Sequence, residues 1–192
     1  KQPFITNVEV PAVAVQGTDL EITGIAEAAS NVKLYVFGTS FFYADEVSIA
    51  KKANGKFEFT IDVESDMAPG TYFYLIQHPM KDAKFNVWNG TGGAHIPENL
   101  IGTTAGEANF YYAATGANNA TYLFNAWTLG TNYAAQALID QISGQNIDDI
   151  FVQGTFKVDV PKLQINALPS EVVKGSNLVI SGTTNVAADA DV

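Results

Sequence analysis

The sequence has neither cysteine nor arginine among its 192 residues. Without cysteine, a structural disulfide, a thiolate metal site and a cysteine nucleophile are all excluded. Twenty acidic residues stand against ten lysines, the net charge is -10, and the longest basic run is Lys51-Lys52. Because nucleic acids and anionic membrane surfaces are bound through clustered cations, this charge argues against both kinds of partner.

Long apolar runs and catalytic motifs are also missing. No stretch approaches the eighteen apolar residues of a membrane span, so we expect no direct membrane insertion. The two histidines, His78 and His95, lie in no HExxH pattern, and the sequence has no GxSxG or Walker loop. We therefore predict no catalytic residue, no cofactor and a non-enzymatic function.

His78 and the paired carboxylates are the remaining candidates for chemistry. His78 precedes Pro79, so its ring is either a metal ligand or acid-base group, or is bonded to backbone at a strand end. The carboxylate pairs are Asp45-Glu46, Asp148-Asp149 and Asp189 with Asp191. Calcium needs six to eight oxygens, and no local DxDxDG run supplies them. A structural calcium site built from several loops is one alternative, and solvated acids or helix caps are the other.

What the chain does contain is typical of a β-sandwich. Apolar residues make up 47% and charged residues 16%, a balance common in extracellular β-proteins. In "KFEFTIDV", Phe57, Phe59, Ile61 and Val63 alternate with polar residues, which predicts a half-buried antiparallel strand. Similar short runs fill residues 5–78, and Asn54-Gly55 predicts a hairpin between "SIAKKA" and "KFEFTIDV". Pro11 suits an edge strand that breaks and switches partner.

The phrase "DMAPGTYFY" points to one kind of sandwich. It is similar to the entry to the sixth strand of immunoglobulin-like domains, where a buried tyrosine bonds a nearby backbone group. Tyr72 is the candidate for this tyrosine corner, and a plain Pro-Gly turn before a β-forming tyrosine is the alternative. We therefore predict a mainly β fold, an immunoglobulin-like antiparallel β-sandwich over residues 1–160.

An insertion at about 81–150 interrupts this pattern. "ANFYYAA" and "TYLFNAW" predict an aromatic hairpin, and "TNYAAQALIDQISG" predicts the one helix, capped by Thr131 or Asn132 and ended by Gly144. Residues Asn146 to Asp149, "NIDD", predict a capped helical turn. The rings of the hairpin and Trp127 either stack sugars or pack the helix against the sandwich.

One phrase occurs twice. "PAVAVQGTDLEITG" (11–24) and "PSEVVKGSNLVISG" (169–182) align at an offset of 158 with six of fourteen positions identical, including Gly17 and Gly175. Both glycines stand where a turn needs positive φ. We interpret residues 161–192 as the truncated start of a second repeat, with the boundary at Pro161 and Lys162. We expect these residues to pair with another chain or to pack against the first domain.

The second copy, "TYFYLIQHPM" and "AAQALIDQISGQNIDDIFVQGTFKVDVP" together resemble a known group. They resemble the tandem immunoglobulin-like domains of surface-layer-type proteins of methanogenic archaea, over nearly the whole chain. The most specific parts are Gln77-His78-Pro79-Met80 and Asn146-Ile147-Asp148-Asp149. Lys81-Asp82-Ala83-Lys84 and Gly144-Gln145 depart from the family pattern, and both changes fall in loops.

The resemblance implies export, an extracellular position in the cell envelope, tandem repetition, glycosylation and a structural role. The expected partners are copies of the same protein and neighbouring repeat domains, with cell-envelope glycans as a further possibility. Two sequons, at Asn89 and Asn119, are the candidate glycosylation sites. The alternative function is a carbohydrate-binding or adhesion module on the same fold.

Overall fold

The computed structural model describes residues 4–49, 54–90, 108–114 and 119–186. The fold is mainly β, with several antiparallel sheets arranged as a sandwich, as predicted. The strands are β1 (Ile5–Glu9), β2 (Val13–Val15), β3 (Thr18–Ala26), β4 (Asn31–Gly38), β5 (Phe41–Ser48), β6 (Lys56–Val63), β7 (Gly70–His78), β8 (Val87–Asn89), β9 (Asn109–Tyr112), β10 (Thr121–Asn125), β11 (Ile150–Asp159), β12 (Leu163–Ile165) and β13 (Gly182–Thr184). The helices are α1 (Ala126–Leu129), α2 (Thr131–Ile142) and a short 3₁₀ helix (Met80–Asp82).

Two sheets form the sandwich. One has the strand order β1-β3-β6 and the other β2-β11-β7-β4-β5. Neighbouring strands are antiparallel, except that β2 runs parallel to β11. The chain passes from the first sheet to the second between Glu9 and Val13, so Pro11 stands at the partner switch that the sequence predicted.

The inner faces of these two sheets make the first hydrophobic core. Strand β6 has the predicted alternation, because its four apolar side chains are buried and the residues between them are exposed. Burial of such side chains is the main favourable term in folding. The other sheet contributes Val32, Leu34, Val36, Tyr72, Ile76, Phe156 and Val158.

The five-stranded sheet is buried on its outer face as well. Along β4 every residue from Val32 to Gly38 is buried, since the insertion covers the side that would otherwise face water. Phe110 on β9 is the hub of this second core, with its ring centroid 5.5 Å from that of Tyr35 and 4.7 Å from that of Phe124. The insertion therefore turns the two-layer sandwich into three layers.

The insertion contains a small sheet of order β10-β9-β8 and two helices. The predicted pairing of β9 with β10 is confirmed. Within "TYLFNAW" the strand β10 ends at Asn125. The Asn125 Oδ1 accepts hydrogen bonds from the backbone N–H of Trp127 at 2.9 Å and of Thr128 at 3.1 Å, and this cap starts α1.

Helix α2 has the expected apolar stripe, with Ala134, Leu138 and Ile142 buried. The predicted cap is wrong, because Gly130 occupies the N-cap position and no side chain caps the helix. The predicted helical turn at Asn146 to Asp149 is also wrong. Asn146 adopts a left-handed φ of 65°, and the chain then extends so that Asp149 is carried into the interior.

The Asn54-Gly55 turn begins the described segment that leads into β6. Both residues have positive φ, at 50° and 81°, as the dipeptide predicts. Among the described residues β6 pairs with β3, and β5 pairs with β4. The first strand of the expected hairpin, "SIAKKA", lies largely outside the described residues, so the hairpin stays a prediction.

Beyond β11 the chain forms a second, separate hairpin. Strand β12 pairs with β13, and the described side chains of residues 161–185 are exposed. Packing of this segment against the first domain is therefore not found among the described residues, and pairing with another chain stays a prediction. Strand β11 ends at Asp159, two residues before the predicted boundary at Pro161 and Lys162.

Candidate functional site

His78 ends β7 and is fully buried. Its Nδ1 accepts a hydrogen bond from the Met80 N–H at 2.9 Å, so its Nε2 carries the proton and donates to the Glu27 carbonyl, also at 2.9 Å. Pro79, buried beside it, leads into the 3₁₀ helix that presents the Met80 N–H. Both ring nitrogens are thus hydrogen-bonded to backbone groups. This geometry favours the alternative in which the His78 ring is bonded to backbone at a strand end over the alternative of a metal ligand.

A buried polar cluster joins the sandwich to the insertion next to this corner. Gln77 donates through Nε2 to Asp149 Oδ2 at 2.5 Å and to the Val87 carbonyl at 3.0 Å. The Tyr35 hydroxyl donates to Gln77 Oε1 at 2.9 Å, and the Asn86 N–H donates to Asp149 Oδ2 at 2.7 Å. The cluster therefore links β4 and β7 of the large sheet to the start of β8 and to the segment before β11.

Asp149 is the charged centre of the cluster. Only 6% of its surface is exposed, and burial raises the pKa of its carboxyl from 3.8 to about 7, against the opposing effect of its hydrogen bonds from Asn86 and Gln77. The neighbouring Asp148 carboxylate raises it further. Perturbed carboxyls of this kind also occur in active sites, but each described hydrogen bond of Asp149 serves to hold the insertion.

Lys33 lies on the same face of the large sheet, opposite Gln77 and Glu46 in the strand register. It is 6% exposed, and burial lowers the pKa of its amine to about 8 despite the attraction of Glu46 and Asp45. Its Nζ lies 5.8 Å from the ring centre of Tyr35 and 5.9 Å from that of Phe85. These rings stabilise the buried cation through their faces.

The remaining predicted residues take different places. Asp148 and Asn86 are joined by a hydrogen bond of 3.3 Å from the Asp148 N–H to Asn86 Oδ1, at the edge of the polar cluster. Asn146 lies in the turn before it. Tyr72 has its ring in the first core, and its hydroxyl donates to the Ala68 carbonyl at 2.9 Å, the geometry expected of it.

The two sequons differ in exposure. Asn119 is exposed in the segment before β10, whereas Asn89 is 3% exposed at the end of β8. Glycosylation needs an accessible amide nitrogen. Asn119 therefore remains the better candidate, and the burial of Asn89 argues against its modification in the folded chain. His95, Asp189 and Asp191 lie outside the described residues.

A groove of about 680 Å³ runs between β5 and β6. Its lining includes the rings of Phe41, Tyr43 and Trp127 and the carboxylates of Asp62, Glu64 and Asp66. The indole N–H of Trp127 is buried and has no acceptor among the described residues. Aromatic faces next to hydrogen-bonding groups are the usual components of a small-molecule site.

Sequence reasoning missed both the polar cluster and the groove. Gln77 and Asp149 are 72 residues apart, and Asn86 and Asp149 are 63 apart, so no local pattern marks them as partners. The sequence marks Gln77-His78 and Asp148-Asp149 separately, but no local pattern pairs the two. Trp127 was singled out with the aromatic hairpin, but Phe110 of that hairpin lies in the second core.

Comparison with known proteins returned no family model that matches the chain and no curated protein similar to it. Within the described ranges, no three histidine, aspartate or glutamate side chains come together as a metal site would require. The helices described in those ranges are all too short or too polar to cross a membrane.

Proposed function

We propose that this chain is a structural repeat unit of an extracellular, surface-layer-type protein, and that it works through contacts with copies of itself and with neighbouring repeats. The observation that carries the proposal is the second hairpin. The first two residue pairs of β12 and β13 have the register of the first two pairs of β1 and β3, at the same offset of 158 residues that relates the two sequence copies. Repetition of a structural unit is typical of proteins that build extended surfaces.

The proposal includes an immunoglobulin-like type for the sandwich. The strand orders β1-β3-β6 and β2-β11-β7-β4-β5 support it, because immunoglobulin-like domains divide their strands between two facing sheets in this manner. The Tyr72 hydroxyl bond to Ala68 supports it as well, since it has the form of a tyrosine corner. The insertion then lies between β7, which corresponds to the sixth immunoglobulin-like strand, and β11, the last strand of the domain.

The acidic composition fits the proposed role. A net charge of -10 with few cations keeps copies apart in solution, so lateral contacts would respond to salt or divalent cations. The proposal includes export, glycosylation at Asn119 and the methanogen surface-layer resemblance of the sequence. It assigns no catalytic residue and no cofactor.

Assembly by the purified chain tests this proposal. We expect ordered sheets or strings in negative-stain electron microscopy when protein is concentrated with salt or calcium, and dispersed particles at low ionic strength. A chain that stays monomeric by analytical ultracentrifugation under all these conditions would contradict self-assembly. Mass spectrometry of the protein from its native cells then reports whether Asn119 carries a glycan.

A carbohydrate-binding module is the second candidate, and the groove beside Trp127 favours it. Sugars stack on aromatic rings and their hydroxyls bond carboxylates, and Trp127 and Asp62 offer both kinds of contact. A glycan array tests it, with Trp127→Ala expected to abolish any binding. Tyr133→Ala is the matched control, because Tyr133 is a 76% exposed aromatic on α2. A glycan that binds both variants equally would remove this groove from consideration.

A further inference from the structure

The second hairpin repeats the register of the first over its first two residue pairs. In the first copy Ile5 pairs with Ala26 and Thr6 with Ile25. In the second copy Leu163 pairs with Thr184 and Gln164 with Thr183, so each partner is displaced by 158 residues. Because a slip of one residue would turn every side chain to the opposite face, the shared register places equivalent residues on equivalent faces.

The turn before β3 also matches the equivalent turn of the second copy. Gly17 and Gly175 have positive φ, at 80° and 92°. The Thr18 hydroxyl donates to the Val15 carbonyl at 2.7 Å, and the Ser176 hydroxyl donates to the Val173 carbonyl at the same distance. The conservative exchange of threonine for serine therefore keeps the hydrogen bond that shapes the turn.

The two copies differ in burial. Leu20 and Ile22 are 1% and 0% exposed, whereas their counterparts Leu178 and Ile180 are 46% and 60% exposed. In the first copy these side chains enter the core between the two sheets. The second copy presents the same apolar positions to solvent, although isolated two-stranded hairpins are only marginally stable.

Strand β6 shows which partner fits such a segment. It pairs antiparallel with β3 from Thr18 opposite Val63 to Ile25 opposite Lys56. The equivalent residues of the second copy are 176–183, of which Gly182 and Thr183 belong to β13, and within the described ranges β13 pairs only with β12. Unpaired strand edges with apolar side chains are templates for a further strand.

Charge favours the same partner. In the first unit Asp19 stands directly opposite Asp62 of β6, a like-charged cross-strand pair that destabilises the pairing. The residue equivalent to Asp19 in the second copy is Asn177, which carries no charge. A strand with the sequence of β6 would therefore meet less repulsion on the second copy than on the first.

We propose that residues 163–184 form an acceptor surface for one kind of partner, a strand of β6 type supplied by another unit of the same repeat. The partner strand alternates apolar and polar residues as "KFEFTIDV" does and pairs antiparallel with residues 176–183. This inference rests on the proposed repeat architecture. It adds to that proposal the identity of the surface and of the segment that covers it.

A synthetic peptide of residues 54–64, "NGKFEFTIDVE", added to the full chain tests the proposal. We expect saturable one-to-one binding by fluorescence anisotropy, with slowed backbone amide exchange confined to residues 176–183 and to β12. A control peptide with Phe59→Ser and Ile61→Ser, which keeps the charge but loses the apolar face, should not bind. The chain variant Ile180→Lys should lose binding of the original peptide.

Three results would overturn the proposal. They are no binding of the original peptide, binding that Ile180→Lys leaves unchanged, and protection that appears away from the second hairpin. A dimer that sedimentation velocity detects and that Ile180→Lys abolishes would instead mean that the surface binds the second hairpin of another copy of the chain. Peptide binding without ordered assembly would contradict the proposed lattice role alone, and ordered assembly without peptide binding would contradict only this acceptor surface.

Discussion

The charge state of Asp149 makes the stability of this fold depend on pH in an unusual direction. An aspartate in the unfolded chain titrates near 3.8, whereas the buried carboxyl of Asp149 titrates near 7. Between these values the folded state binds one proton more than the unfolded state. The free energy of unfolding therefore decreases as the pH rises through this window, and it levels off once the pH exceeds 7.

The magnitude follows from the size of the shift. About three pH units at 1.36 kcal/mol each give a loss on the order of 4 kcal/mol between pH 4 and pH 8. That is a large share of the 5–15 kcal/mol typical of a domain, on the order of one third. The substitution Asp149→Asn removes the titration but keeps an amide oxygen that accepts from Gln77 and Asn86.

Urea unfolding at pH values from 4 to 8, followed by tryptophan fluorescence, measures the effect. The variant should gain stability relative to the unmodified chain by on the order of 4 kcal/mol as the pH rises. Glu58→Gln, at an exposed carboxylate on β6 that stands opposite Thr23, is the matched control and should show no such trend. If Asp149→Asn loses stability relative to the unmodified chain at pH 8, the buried carboxylate is favourable in its charged form and the reasoning is refuted.

Three further substitutions test other parts of the fold by the same unfolding assay. Tyr72→Phe removes the hydroxyl bond to Ala68 and should lower the free energy of unfolding by about 1 kcal/mol. An unchanged free energy would mean that this hydrogen bond does not stabilise the fold. Gly38→Ala would place a Cβ 2.0 Å from a carbon of the Tyr72 ring and should cost about 1–3 kcal/mol, and an unchanged urea midpoint would contradict this packing. The depressed pKa of Lys33, about 8 against 10.5, should make the unmodified chain gain about 3 kcal/mol as the pH rises from 8 to 10.5. Lys33→Met should lack this gain, and a parallel pH profile of the two chains would show that Lys33 is not buried as a cation.

Local pattern predicted the features that depend on neighbours in sequence. The alternation of β6, the apolar stripe of α2 and the positive φ of Gly17 and Gly175 all follow from residues a few positions apart. Asn54-Gly55 is a further case, because both residues have the positive φ that the dipeptide predicts. The conformation of a turn is local, whereas the choice of partner strand depends on which faces are buried.

The candidate site was beyond local pattern for the same reason. Lys33 and Tyr35 alternate with Val32, Leu34 and Val36, so β4 should have one exposed face. That face is buried only because an insertion some fifty residues later folds over it. The polar cluster around Asp149 forms where this second layer closes, and it needs the complete fold to exist.

The central proposal, that this chain is a repeat unit, is tested most directly by fusing the matching residues of the first unit to the second hairpin. Residues 29–160 can be joined after residue 186, which keeps the offset of 158 between the copies. Scanning calorimetry should then give roughly twice the unfolding enthalpy of the original chain, because the enthalpy scales with the number of folded residues. Amide exchange at residues 163–184 should slow to the rates of residues 5–26. An unchanged enthalpy with residues 163–184 still exchanging freely would contradict the account.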